Sequence, residues 1–93
     1  MNKKYFKLRV LGVVRKIPPG QTLSYKRVAE LVGSPLASRA VGNIMKNNFD
    51  PTVPCHRVIC SDGRAGGYNG GVGKKIARLI DEGVKFKDGR LLS

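Results

Sequence analysis

Apolar residues at Tyr5, Phe6, Val10, Val13, Val14 and Ile17 recur at steps of three and four, the spacing of an amphipathic helix with one face turned inward. Pro18-Pro19-Gly20 ends it. Ser24 is placed to cap a second helix from Tyr25 to Leu31 or Val32, with Val28, Ala29 and Leu31–Val32 inward and Gly33 as its left-handed stop. Ser34-Pro35 then predicts a third helix, Ser34 as cap and Pro35 as first helical residue. Its buried stripe is Ala37, Ala40, Val41, Ile44 and Met45, and Arg39, Asn43 and Lys46 lie toward another face.

Beyond Asn47-Asn48-Phe49-Asp50-Pro51 the pattern shortens. Arg57 to Cys60 and Arg64-Ala65 flank Ser61-Asp62-Gly63, which predicts a hairpin turned at Asp-Gly. Gly66 to Gly73 is expected to be a loop, and Lys74 to Asp81 or Glu82 a last helix, with Ile76, Ala77, Leu79 and Ile80 as its apolar residues and Gly83 as its cap. Val84-Lys85-Phe86 and Arg90-Leu91-Leu92 around Lys87-Asp88-Gly89 predict a small closing hairpin or an irregular tail. The expected fold is mainly α with a short β hairpin, a winged-helix-like helix-turn-helix DNA-binding domain occupying residues 1–93 as one unit.

Charge sharpens this picture. Eighteen Lys and Arg against six Asp and Glu give a net +12. Residues 1–49 hold ten of the basic groups and one acid, Glu30, whereas residues 50–93 hold eight basic and five acidic groups. So uneven a distribution predicts a polyanion-binding face on the helical half, and nucleic acid is the commonest polyanion. An apolar share of 41% is enough for one small core. No run approaches the roughly eighteen apolar residues of a membrane span, and Arg15-Lys16 interrupts the apolar patch at Val10–Val14 without a cleavage site. A cytoplasmic protein without membrane association is expected. Two cysteines, one histidine and no C-x-x-C pair leave no ligand set for an ordinary structural zinc, so neither metal nor cofactor is expected.

Chemistry concentrates at Pro54-Cys55-His56-Arg57-Val58, between a polar approach and the glycine-rich exit Gly66-Gly67-Tyr68-Asn69-Gly70-Gly71. A thiol beside an imidazole and a guanidinium suggests a reactive thiolate, with His56 taking the thiol proton directly or through one water. Cys60, flanked by Ile59 and Ser61 in an expected strand, is assigned a structural role. A cysteine protease needs a more distant histidine and a substrate cleft, and a phosphatase needs a phosphate cradle of glycines and arginine just after the cysteine; neither is present. Nucleophilic attack on damaged nucleic acid, with alkyl transfer to sulfur, fits a lone activated thiol joined to a DNA-binding element.

Those residues carry a resemblance. Pro54-Cys55-His56-Arg57-Val58, with Ser24-Tyr25 and Ser38-Arg39-Ala40-Val41-Gly42 before it and Gly67-Tyr68-Asn69-Gly70-Gly71 after it, resembles the C-terminal DNA-binding domain of the methylated-DNA–protein-cysteine methyltransferases, the 6-O-alkylguanine-DNA alkyltransferases. The likeness runs from about Phe6 to Leu91. It implies that Cys55 accepts the alkyl group irreversibly, that His56 relays the cysteine's proton through a water, that Glu82 is the acid completing the relay, and that Asn48 braces the active-site turn. It implies that Tyr25 crowds the phosphate 3′ to the lesion and that Arg39 fills the vacated stack through the minor groove. Ser24, Ala37, Ala40, Gly42 and Lys46 complete the DNA-binding set. Val58, Tyr68, Asn69 and Gly70 are implied to hold the flipped base, Tyr68 by donating toward guanine N3.

Two departures accompany the resemblance. Members of the family usually carry a further domain ahead of this one, and in length the chain is similar to alkyltransferase-like proteins, which bind 6-O-alkylguanine and hand it to excision repair. Those proteins have tryptophan or another residue where this chain has Cys55, and the chain has no tryptophan. Asn69 also stands where many members carry serine or another small residue. Two functions are therefore implied: a minimal single-turnover transferase acting as a monomer on duplex DNA that contains 6-O-alkylguanine, or a lesion sensor with excision-repair partners.

Overall fold

The computed structural model describes residues 3–68 and 70–92. Within them lie helices α1 (Lys3–Arg15), α2 (Tyr25–Leu31), α3 (Ser38–Lys46) and α4 (Val72–Asp81). Short strands β1 (Leu23–Ser24), β2 (Val58–Ile59), β3 (Lys85–Lys87) and β4 (Arg90–Leu92) join them, and Cys55–Arg57 forms a single 3₁₀ turn.

Val10 and Val14 bury the inner face of α1, and Ile17 continues it just past the helix end. Phe6 takes the inward position one turn earlier, which leaves Tyr5, about 100° around the helix, on the exposed side. The chain leaves α1 through Lys16 and Ile17, whose N–H groups bond to Val13 and Val14, before Pro18 and Pro19. Ser24 caps α2 as expected, its Oγ accepting the Arg27 N–H at 2.9 Å. The helix ends in a Schellman motif: Gly33, at φ +82°, bonds to the Glu30 carbonyl and Ser34 to that of Ala29.

The third helix starts three residues later than the sequence predicts, at Ser38 instead of Pro35. Ser34 does not cap it. Its carbonyl instead accepts the Ala37 N–H at 2.9 Å, which closes a turn with Pro35 at its second position, where a fixed φ suits a turn as well as a helix start. Ala37 then precedes α3 and packs half-buried on the core, Val41 and Met45 form the inner stripe, and Ala40, predicted to be buried, is exposed.

Two further predictions are corrected. The Asp62-Gly63 turn forms, with Gly63 bonded to the Cys60 carbonyl and Cys60 to that of Arg64, but β2 does not pair with the residues after the turn. It pairs in parallel with β1, Leu23 opposite Val58 and Ser24 opposite Ile59, while Arg64 bridges to Arg90. Nor does the glycine loop reach Gly73. Helix α4 starts at Val72, where the Gly71 carbonyl accepts the Lys75 N–H, and its buried face is Lys75 and Leu79, with Ala77 and Ile80 exposed. The closing hairpin does form, β3 antiparallel to β4 across Asp88-Gly89, both at positive φ.

The larger core gathers Val10, Val14, Val28, Val32, Val41 and Met45 from the three N-terminal helices, with Val53, Cys55 and Val58 joining from the central segment. A smaller one, Ile59, Leu79 and Val84 with Phe86 and Leu91, secures α4 and the hairpin. The cysteine thus sits where helical bundle and strand meet. Gly33 has open space around a would-be Cβ, so Gly33→Ala exposes the cost of the left-handed backbone alone. That cost is about 1–2 kcal/mol, and a lowered urea midpoint at unchanged slope is expected. An unmoved midpoint would contradict it.

Candidate active site and nucleic-acid face

Seven residues before the cysteine, Asn48 is buried and folds its carboxamide onto the next turn, Oδ1 accepting the Asp50 N–H at 3.3 Å and Nδ2 reaching the Asp50 carbonyl at 3.5 Å. Asp50 in turn accepts the Thr52 N–H and hydroxyl at 2.9 and 2.8 Å, which holds its carboxyl below the usual range. These bonds shape the approach to Pro54. The 3₁₀ turn then buries Cys55, with its N–H on the Val53 carbonyl at 2.8 Å and its own carbonyl accepting from Val58.

His56 is almost wholly buried, and its Nε2 lies 2.9 Å from Glu82 Oε2 at the end of α4. Residues 26 positions apart in sequence therefore meet. The sequence reading places Arg57 beside the thiol, but its guanidinium points toward Glu82. Nε donates to Oε1 at 2.9 Å and Nη2 to Oε2 at 2.6 Å, while Nη1 donates to the Ile17 carbonyl at 2.9 Å. Those bonds from Arg57 hold the Glu82 carboxyl down at about 2, against burial, and His56 adds to the effect. Burial keeps the imidazole below its usual 6.5, outweighing the hydrogen bond to Glu82. An ionised carboxylate can only accept, so a neutral His56 carries its proton on Nε2. Its Nδ1, buried and without a hydrogen-bond partner among the described residues, then presents a bare lone pair.

Cys55, Asn48 and Tyr68 line one cavity of about 230 Å³, together with Phe49 and Arg78. A second, about 710 Å³, runs past Tyr25, Gly42, Lys46 and Gly66 and shares Phe49 and Tyr68 with the first. Phe49 is 80% exposed at this common rim. Gly66, at φ +78°, lies so close to Tyr25 that a Cβ would stand 3.0 Å from its Cε2 and hydroxyl; a Cβ on Gly70 would stand 3.1 Å from the Tyr68 ring. Both glycines are needed for those close approaches. Asn69 lies outside the described residues.

Sequence reasoning missed two residues. Lys75 is fully buried, and its Nζ donates to the Val58 carbonyl at 2.6 Å, the Tyr25 hydroxyl at 3.2 Å and the Gly67 carbonyl at 3.3 Å. It lies 5.4 Å from the centre of the Tyr25 ring. Burial brings the ammonium down to about 8 and pushes the Tyr25 phenol up to about 12. One side chain thereby joins the strand after the cysteine, the glycine loop and the tyrosine at the head of α2. Arg78, the other, donates from Nη1 to the Tyr68 hydroxyl at 2.6 Å. The only signal for Lys75 is its place four residues before Leu79, on the inward face of α4; Arg78 had none.

The residues expected to meet DNA are more dispersed. Arg39 and Ala40 are exposed near the start of α3, and Lys46 is exposed at its end. Ser24 spends its oxygen on the α2 cap, Ala37 packs inward, and the Tyr25 hydroxyl turns in toward Gly67 and Lys75.

Residues 5–84 match the family model described as 6-O-methylguanine DNA methyltransferase, DNA binding domain. A methylated-DNA–protein-cysteine methyltransferase of Methanothermobacter thermautotrophicus is 49% identical over 82 residues, covering 88% of this chain and 46% of that protein. The chain thus spans about half the length of that relative. S. pombe Atl1, solved with damaged DNA containing O6-carboxymethylguanine, superposes with a TM-score of 0.84 at 34% identity over 94% of this chain and 83% of that one. Mycobacterium tuberculosis OGT in complex with DNA gives 0.79 at 44% identity, over 83% and 48%.

The ion pair at Glu82 sets a direction for acid sensitivity. Its lowered pKa contributes stability present above the usual carboxylate value of 4.5 and lost as pH falls toward about 2. His56, held neutral by burial, adds loss of the same sign as pH falls below 6.5. Urea midpoints measured against pH should therefore fall with acidification in the native protein. In Glu82→Gln the midpoint should start lower at neutral pH and lose less between 4.5 and 2. Parallel profiles would contradict the assignment.

Proposed function

The chain belongs to the 6-O-methylguanine DNA methyltransferase family through its DNA-binding domain, and from that premise we propose that it takes 6-O-alkylguanine out of duplex DNA and transfers the alkyl group to Cys55. The observation carrying this reading is the bare Nδ1 of His56, next in sequence to a cavity-lining cysteine and backed by the Glu82–Arg57 pair. Cys55 gives its proton to that nitrogen, directly or through one water. Glu82 stabilises the imidazolium that forms, and Arg57 keeps Glu82 ionised while that happens. Sulfur attacks the alkyl carbon, the bond from carbon to the guanine oxygen breaks, and the guanine takes up the proton. A thioether remains on Cys55, and among the described residues no second nucleophile is placed to remove it.

Extrusion of the base costs a few kcal/mol of unstacking. Arg39, exposed near the start of α3, is the side chain to refill the gap by stacking and hydrogen bonding. Tyr25 acts from the groove side of the cavity, held rigid by Lys75. A second reading, lesion binding without efficient transfer, is favoured by the extent of the likeness to Atl1. On that reading the same pocket holds the base and Cys55 is a lining residue.

Single-turnover incubation with methylated duplex separates the two. Transfer predicts a gain of about 14 mass units, methyl replacing hydrogen, on the peptide that contains Cys55 and never more than one equivalent per protein. Cys55→Ala should lose the adduct and keep DNA affinity. An adduct on Cys60, or turnover beyond one equivalent, would overturn the proposal; binding with no adduct would establish the second reading.

Arg39→Ala should slow reaction with duplex lesions by about tenfold or more while sparing reaction with free benzylated guanine, since only the duplex needs its stack refilled. Equal loss on both substrates would assign Arg39 to folding.

A further inference from the structure

Arg78 stands on the exposed side of α4, yet its guanidinium reaches over to the Tyr68 hydroxyl at 2.6 Å, in the cavity that also holds Cys55. A guanidinium carries five donors and no acceptor, so in this bond the phenol oxygen must accept. The hydroxyl proton is then excluded from the direction of Arg78 and is left for another acceptor. No protein acceptor for it occurs among the described residues. Nor does Arg78 form an ion pair among the described residues, unlike Arg15, Arg27, Arg57 and Arg64, each of which meets a carboxylate. Among the described residues, the one hydrogen bond of its side chain is to this hydroxyl.

We propose that Arg78 is a positioning residue for lesion recognition: by donating to Tyr68 it fixes that hydroxyl as a donor aimed at a hydrogen-bond acceptor on the extruded base. The inference rests on the base-extrusion reading above and extends it with a residue that touches neither base nor sulfur. Two geometric features make the arrangement rigid. The Tyr68 ring lies against Gly70, where a Cβ would stand 3.1 Å away, so the ring packs on backbone. Tyr68 and Arg78 are held by different segments, the glycine loop and α4, so their bond also ties that loop to the helix carrying Lys75. A charged donor polarises the phenol and strengthens the bond the phenol gives onward.

Base edges offer a direct test. A guanine lesion presents N3 as an acceptor on its minor-groove side, and the 3-deaza analogue lacks it. Affinities for 6-O-methylguanine duplex, its 3-deaza counterpart and undamaged duplex should be measured in a Cys55→Ala background, where no transfer intervenes. Arg78→Leu, on an exposed helix position, should weaken binding of the 6-O-methylguanine duplex by about three- to tenfold, the worth of one net hydrogen bond. Against the 3-deaza duplex it should cost less than twofold. Arg78→Lys, which keeps a donor, should recover most of the loss, and Tyr68→Phe should abolish the difference between the two lesions. A purely structural or general electrostatic role would weaken both lesion duplexes equally, and that result overturns the inference while leaving the proposed function standing. If the parent protein shows no preference for lesion over undamaged duplex, the proposed function itself fails and this inference fails with it.

Discussion

The Glu82 carboxylate is shared between a guanidinium and an imidazole, and that sharing organises the molecule. Arg57 engages both of its oxygens and also reaches the Ile17 carbonyl, so one side chain joins the end of α1, the 3₁₀ turn of Cys55 and the end of α4. Gly20, in the loop after α1, lies so close to the Glu82 carbonyl that a Cβ would stand 3.0 Å away. Three segments that are distant in sequence are therefore forced together beside Cys55. Losing one partner of a fully buried pair costs on the order of 3–5 kcal/mol; both side chains here retain some solvent contact, which reduces the figure. The consequence for proton placement exceeds the energetic one. An acceptor that cannot be protonated near neutral pH dictates where the histidine keeps its proton.

Lys75 is the second internal polar centre and has the opposite design. It is a cation with oxygen partners and, among the described residues, no carboxylate, fully buried, and its ammonium is brought down accordingly. It makes the strand after Cys55, the glycine loop and Tyr25 one wall. Outside these two centres the charge is left unbalanced. Among the described residues four of the six acids, Glu30, Asp50, Asp62 and Glu82, stand in ion pairs with arginine. The exposed lysines and arginines on the helical half consequently keep their field for a polyanion.

What the sequence made legible was local. Ser24 and Gly33 bracket α2 because a cap and a left-handed stop are decided by neighbouring residues. Ser34-Pro35 misled because a proline with fixed φ serves a turn as well as a helix start, and the Schellman bond from Ser34 to Ala29 settled it in favour of the turn. The parallel pairing of β1 with β2 joins two-residue segments 35 positions apart, too short to leave an alternation. Lys75 was illegible because burying an ammonium is favourable only once three oxygens converge, and they come from three distant segments. Cys55 and His56 were found from adjacency and chemistry. Glu82 came through family resemblance alone, and Arg57 was aimed at the wrong partner until the geometry was in view.

The central claim is that Arg57 and Glu82 set the proton position on His56. The chain has a single histidine, so long-range proton–nitrogen correlation of its imidazole gives one unambiguous pattern at neutral pH. The account predicts a neutral ring protonated on Nε2, with Nδ1 bare, and a change of that pattern in Glu82→Gln. A ring protonated on Nδ1, or an imidazolium at neutral pH, would contradict it.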